Sequence, residues 1–324
     1  MKEHNPGYTS VKILSFGICV SVFKWIVLLA AYLYLIIVLL RFDKYDELLI
    51  HFKKMEWPQA ISLFAVFLLL PLNLFLESEK WRLIVSKTEV ISQANAFKAV
   101  LAGFASGFFT PNRTGEFLGR IVFMQKIHRK IGVVYSVINS LTQNMILVVC
   151  GLPAAIVSYI VVKKRITPDI EMYLYAITCI LLLLLIFYFT LPVLAKTKIW
   201  RRYLAFSSDI RLYSHKDLAQ MLSFSLIRYA LCCTQFYAML YFFGVELEWW
   251  QAFIAIPANY LFVTFTPSLA FAEAAVRSSY AVIFIGAFSQ QLAGIAFAGF
   301  ALWFVNFGIP MLAGSLILAK TKRS

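Results

Sequence analysis

Charge is what this sequence has least of. Asp, Glu, Lys and Arg make up 14% of its 324 residues, where a soluble domain carries about 25%. Acid is scarcer than base: sixteen Asp and Glu stand against thirty Lys and Arg, for a formal net charge of +14. The longest polar stretch runs only from Lys196 to Lys216, which leaves no room for a separate soluble domain. The five cysteines (Cys19, Cys150, Cys179, Cys232, Cys233) all lie in apolar runs without a C-x-x-C spacing, which excludes a zinc or redox motif and makes them small apolar residues. The four histidines (His4, His51, His128, His215) are scattered through polar segments and suggest no metal site. The excess of base carries no nucleic-acid motif and is read as cytoplasmic loop ends meeting anionic lipid. The first apolar run ends in "LLRFDK" rather than a small-residue cleavage site, so no signal peptide is expected.

What is there is apolar sequence, 61% of the chain. Runs such as "WIVLLAAYLYLIIVLL" and "YLYAITCILLLLLIFYFTLPVL" approach or pass the ~20 residues that cross a hydrocarbon core. The pattern predicts an all-α polytopic membrane protein of one domain over 1–324, with six full transmembrane helices near 17–41, 58–78, 133–162, 170–195, 218–243 and 289–319. In this division 1–130 is a first half, 133–195 holds central helices and 218–320 is a second half.

Two regions do not fit full spans. "FKAVLAGFASGFF" stops at Thr110-Pro111 and is followed by "TGEFLGRIVFMQ"; residues 249–265 stop at Thr266-Pro267 and are followed by "AEAAVRSSYAVIFIGAF". Proline removes a backbone donor and disfavours helix in the residue before it, so each region is expected to be two half-helices joined at a break. Thr114 or Ser268 would cap the helix that restarts. If both pairs are re-entrant hairpins and the N-terminus is cytoplasmic, eighteen Lys and Arg fall on cytoplasmic segments, counting Lys80 to Lys98 among them. Seven then fall outside, and Lys24, Arg113, Arg120, Arg228 and Arg277 lie within membrane segments. That bias has the cytoplasmic sign. The hairpins then enter from opposite faces as an inverted repeat, the plan of many transporters.

Both breaks carry charge in one pattern: Glu116 precedes Arg120 by four residues, and Glu273 precedes Arg277 by four. Each pair shares a helical face. The bland reading is a solvated pair or a snorkelling arginine. A charge in the membrane interior costs at least ~2.5 kcal/mol, which favours function. The candidate substrate-binding residues are Thr110, Pro111, Arg113, Glu116, Arg120, Arg228, Thr266, Pro267, Glu273 and Arg277. Arginine grips phosphate or carboxylate with two parallel hydrogen bonds, and a restarted helix offers its N-terminus to the same anion. Arg228 either faces this cavity or snorkels. Asn139, Gln143 and Asn144 either line a pathway or hydrogen-bond between helices. Gly103 and Gly107 are spaced for close helix packing.

The first break, with Thr110, Pro111, Arg113, Gly115, Glu116 and Arg120, resembles the transmembrane domain of lysylphosphatidylglycerol synthases and their stand-alone flippase-like relatives. "NLFLESEKWRLI", with Trp81 and Arg82, resembles the segment that follows the second span in that family. "TPSLAFAEAAVR", with Pro267 and Glu273, and then Gly286, resembles its second motif, although the glycines usual between that Pro and Glu are absent and Ala270 and Ala272 stand nearby. The resemblance covers about residues 15–320. It implies a lipid flippase that moves a phospholipid, aminoacylated in some members, between leaflets of a bacterial-type plasma (inner) membrane, with both termini cytoplasmic. The synthase reaction needs a soluble acyltransferase domain; the chain ends at "LILAKTKRS", so the expectation is a non-enzyme with no cofactor, partnered by membrane lipid and not by nucleic acid. A homodimer is compatible with this reading. The competing readings are a transporter of a small anionic solute and an embedded enzyme acting on lipid headgroups.

Overall fold

The computed structural model describes residues 55–108, 110, 113–163, 170–196, 211–268 and 270–321. Pro111 and the span expected at 17–41 lie outside the described residues. Among the described residues all regular structure is helical: α1 (Trp57–Val85), α2 (Gln93–Gly107), α3 (Glu116–Ile121), a 3₁₀ turn (Lys126–His128), α4 (Arg129–Lys163), α5 (Ile170–Leu194), α6 (His215–Phe242), α7 (Trp249–Phe265), α8 (Ala270–Ile285), α9 (Leu292–Trp303), a π-helical turn (Phe304–Gly308) and α10 (Ile309–Lys320). Three stretches, Trp57–Val85, Ile131–Val162 and Leu292–Lys320, are long and apolar enough to cross a membrane. Thr178–Leu194 is a shorter apolar helix. α6 is long enough, but it carries Arg228 and Gln235 in its middle and is not one of the three. The helix expected to end at 78 continues to Val85, so Lys80 is not a loop residue but a fully buried helical one.

Helix starts follow local chemistry. The Glu56 and Gln59 side chains exchange hydrogen bonds with each other's backbone ahead of α1, Ser214 and Asp217 do so ahead of α6, and Glu248 and Gln251 ahead of α7. Each arrangement satisfies amide groups that the first turn cannot. Ser92 caps α2 by accepting from the Asn95 amide at 3.3 Å.

α1 and α6 run antiparallel. Tyr213 donates to the Ile84 carbonyl at 2.6 Å, Lys80 to Ser225 at 3.2 Å, Arg228 to Asn73 at 2.8 Å and Gln235 to the Val66 carbonyl at 3.0 Å. The α2–α3 pair folds back on itself: the Gly119 amide donates to Ser106 at 2.9 Å, and the Gly115 amide to Thr110 at 2.7 Å. Its two flanking loops meet where the Gln125 amide donates to Glu89 at 3.0 Å. The α7–α8 pair also folds back, with Trp250 5.9 Å from Phe288 and Phe262 4.9 Å from Phe284, ring centre to ring centre. The first pair opens beside the start of α6, where Lys87 reaches Asp217 at 2.8 Å. The second pair begins at Trp249, just after the other end of α6.

α2 is the buried hub: every residue from Ala99 to Gly107 is out of solvent. Its small residues let neighbouring backbones approach. A Cβ on Gly314 of α10 would stand 1.8 Å from the Leu101 carbonyl oxygen, so α10 can cross α2 there only through glycine. Gly314→Ala is predicted to push α10 off α2 and cost about 1–3 kcal/mol, the usual range for overpacking. Leu316→Ala, on the exposed side of the same helix, is the control. Thermal unfolding of the detergent-solubilised protein should separate the two; equal midpoints would contradict the crossing.

Candidate functional site

The polar residues of the sequence are drawn into two clusters around carboxylates. The first is centred on Glu77 of α1. Its Oε1 accepts from Arg120 Nη2 at 2.7 Å and from Asn139 Nδ2 at 2.8 Å; its Oε2 accepts from Arg228 Nη1 and lies 3.3 Å from Lys80 Nζ. Arg228 also donates to Asn73 and to Gln143, the latter at 3.2 Å. Arg120 reaches Glu116 at 3.0 Å, so the i,i+4 pair forms, but as one edge of a larger network. The interior of the cluster is closed: side-chain exposure is 0% at Lys80, 3% at Glu77 and 4% at Arg120. Arg120 Nη1 is buried there without a hydrogen-bond partner among the described residues.

The second cluster is centred on Glu273 of α8 and joins the two halves of the chain. Arg113 Nε donates to Oε2 at 2.8 Å and Nη2 to Oε1 at 2.7 Å, a two-pronged grip across 160 residues of sequence. Arg277 donates to the same Oε1 through Nε at 3.0 Å and Nη2 at 2.8 Å. Both guanidiniums are backed by rings: Arg113 lies 3.9 Å over Phe307, and Arg277 lies 6.0 Å from Tyr260. Such stacking holds a cation through its quadrupole attraction to the ring face. This cluster is more open, with Arg113 20% and Arg277 21% exposed.

The clusters adjoin at α2. A Cβ on Gly107 would meet Glu116 Cγ at 2.8 Å and Arg113 Cβ at 3.3 Å, so the absent side chain is the space through which both residues pass. Arg113 sits at φ 56, a left-handed conformation uncommon for a residue with a Cβ. Its paired grip on Glu273 supplies the compensation such a backbone needs.

Of the residues expected at the site, the structure brings Arg113, Glu116, Arg120, Arg228, Glu273 and Arg277 into these two clusters. Thr110 and Thr266 do local work. Thr110 donates to the Gly107 carbonyl at 3.1 Å and accepts from Gly115, which stitches the first turn together. Thr266 donates to the Phe262 carbonyl at 2.7 Å and lies 2.9 Å from the Tyr280 hydroxyl. Pro267 follows the end of α7. Thr114 does not cap the restarted helix: Gly115 holds the cap position, with no side-chain bond. α3 has only six residues, too few for a strong helix dipole, so attraction for an anion rests on the guanidiniums instead. Arg228 does not snorkel; it is bound to Glu77.

Sequence reasoning missed Lys80 by ending the helix at 78, and passed over Glu77 inside that span. Asn73, Glu77 and Lys80 recur at i, i+4 and i+7 in an apolar run, and that spacing would have placed them on one buried face. Taking Lys80 out of the segments expected to be cytoplasmic lowers the basic count there by one, from eighteen against seven, and leaves the expected bias with the same sign. No protein-family model, curated protein or solved structure matches the chain.

The cost of losing a carboxylate should follow its burial. Removing one partner of a buried ion pair costs about 3–5 kcal/mol, and Glu77 serves three cations. Glu77→Gln should therefore destabilise most, Glu273→Gln less, and Glu116→Gln, 23% exposed, least. Unfolding midpoints and membrane yields of the three variants check the order; Glu116→Gln as the worst of the three would contradict it.

Proposed function

We propose that this chain is a lipid translocase that carries a phospholipid with an anionic headgroup between membrane leaflets. The observation that carries the reading is the surplus of cation in the site. Among the described residues, Lys80, Arg113, Arg120, Arg228 and Arg277 are held against Glu77, Glu116 and Glu273 only. Unbalanced charge in a low-dielectric interior is costly, and an anionic phosphate entering the site would reduce that cost. Arg120 Nη1, buried without a hydrogen-bond partner among the described residues, is a donor that an anion inside the cluster would satisfy.

Lipid is favoured over a small solute by an apolar groove of about 650 Å³ between α4, α6 and α7, lined by Leu226, Tyr229, Phe253 and Ile256; the Tyr229 ring lies 6.2 Å from that of Tyr260, the ring beside Arg277. Its chemistry suits an acyl chain, while the headgroup would reach the arginines. The resemblance of the Thr110–Arg120 and Thr266–Arg277 segments to the flippase-like domain of lysylphosphatidylglycerol synthases points the same way. In this reading the two folded-back pairs are re-entrant and form an inverted repeat. Six spans, the segment at 17–41 included, would complete the domain in a plasma membrane, with both termini cytoplasmic. The contact of Glu89 with Gln125 supports one face for both loops of the first pair. The lipid would leave chemically unchanged, and no cofactor is invoked.

The topology has its own test. In a background lacking the five native cysteines, single cysteines at Lys87 and Lys126 should label with an impermeant reagent from the same side of the membrane. Labelling from opposite sides would make the first pair a spanning segment.

The activity is tested in proteoliposomes with a fluorescent phosphatidylglycerol and a leaflet-specific quencher. Wild-type protein should equilibrate the probe, and Arg113→Gln and Arg277→Gln should each slow it at least tenfold while remaining folded. On binding of the same lipid, the double variant should lose less than the sum of the singles, by about 0.5–3 kcal/mol, because both arginines serve one site. Strict additivity would separate them. Uptake of inorganic phosphate without lipid movement would favour the small-anion transporter.

A further inference from the structure

Glu273 already occupies the place that the proposed reading gives to a phosphate. Its two oxygens accept four charge-assisted hydrogen bonds, two from Arg113 and two from Arg277. A phosphate presents the same pair of acceptor oxygens to the same fork of donors. The two guanidiniums are fixed from behind by Phe307 and Tyr260 rather than by the carboxylate alone. They are also more exposed than the carboxylate they share. A ligand arriving from the open side therefore meets arginines already in position, with Glu273 as the group to be displaced.

We propose that phosphate binding displaces the Glu273 carboxylate from Arg113 and Arg277 and that the displaced carboxylate takes up one proton from water, so that each headgroup bound brings one proton with it. This rests on the lipid-translocase reading and adds its coupling ion. The charged groups facing Glu273 among the described residues are Arg113, from the α2–α3 connection, and Arg277, on its own helix. α7 contributes the titratable Tyr260, whose hydroxyl donates to the Cys232 carbonyl of α6 at 3.0 Å, and the π-helical turn contributes the ring of Phe307. Once the phosphate holds both arginines, no further cation among the described residues stands in place to receive the carboxylate, whose side chain is 10% exposed. An ionised carboxylate left in such surroundings neutralises instead. The balance is simple: the phosphate oxygens take the guanidinium hydrogen bonds, and the carboxylate becomes a carboxylic acid.

The sign of the linkage follows. The bound state holds one proton more than the free state, so headgroup affinity rises as pH falls and proton affinity rises with headgroup binding, each by the same factor. Over the pH range in which the carboxylate is ionised while held by the arginines and protonated once displaced, affinity should change about tenfold per pH unit for one linked proton. A phosphodiester probe keeps the ligand's own titration out of this window.

The experiment is titration calorimetry of the full chain in nanodiscs with dihexanoylphosphatidylglycerol, at pH 6, 7 and 8 and in two buffers of different protonation heat. Wild-type protein should take up about one proton per lipid bound and lose affinity about tenfold per pH unit. Glu273→Gln, which carries no titratable proton there, should bind with no proton uptake and no pH dependence. Glu273→Asp should retain the uptake, which keeps the comparison usable if the amide variant folds poorly. PH-independent wild-type binding, or equal uptake by Glu273→Gln, overturns the coupling while leaving the lipid reading intact. The absence of any binding overturns both.

Discussion

A charge removed from water must be met by an opposite charge, and in this chain that requirement falls on Glu77. Three cations from three helices converge on it: Lys80 of α1, Arg120 of α3 and Arg228 of α6. Asn139 of α4 adds a fourth helix. Glu77, Lys80, Arg120 and Asn139 are all buried, so four helices are held in one register by a single carboxylate. Buried ion pairs contribute little net stability against an apolar core of the same shape. The arrangement is therefore better explained by what it positions than by what it stabilises.

What it positions is the second cluster. With Arg120 tied to Glu77, the short α3 is fixed against α2, and the turn before it presents Arg113 to the far half of the chain. Glu116 and Arg113 pass on either side of the place where Gly107 has no side chain. The contact that results, Arg113 to Glu273, is the ionic link between the two folded-back pairs. Its two arginines are more exposed than the three cations around Glu77, and its backbone at Arg113 is held in a sparsely populated conformation. Rigid behind and open in front is what a binding site for a charged group needs, because the cost of ordering the donors is met before the ligand arrives.

The apolar surroundings explain why so few polar residues carry so much of the structure. Helices that are apolar on most faces have little to distinguish one packing from another, since lipid is as apolar as leucine. Close crossings through glycine, as at Gly314, and polar contacts such as Gln235 to the Val66 carbonyl then decide which helices are neighbours. The same scarcity makes the site conspicuous: of the polar groups in the interior, nearly all the charged ones lie in the two clusters.

Much of this was legible in the sequence. Helical periods, apolar length and two Thr-Pro breaks were enough to place α2, α4, α5, α6 and α7 close to their observed bounds, because those features act locally on the backbone. The Glu116–Arg120 and Glu273–Arg277 pairs were legible for the same reason: a spacing of four is one turn of helix. What the sequence could not determine is which partner each charge takes beyond its own turn. Arg113 finds Glu273 and Arg228 finds Glu77 only once α3, α8, α1 and α6 are packed together, and Lys80 read as a loop residue until the continuation of α1 buried it. Local spacing reports neighbours along one helix, whereas the balance of charge in a dehydrated interior is settled between helices, and so only the tertiary structure decided it.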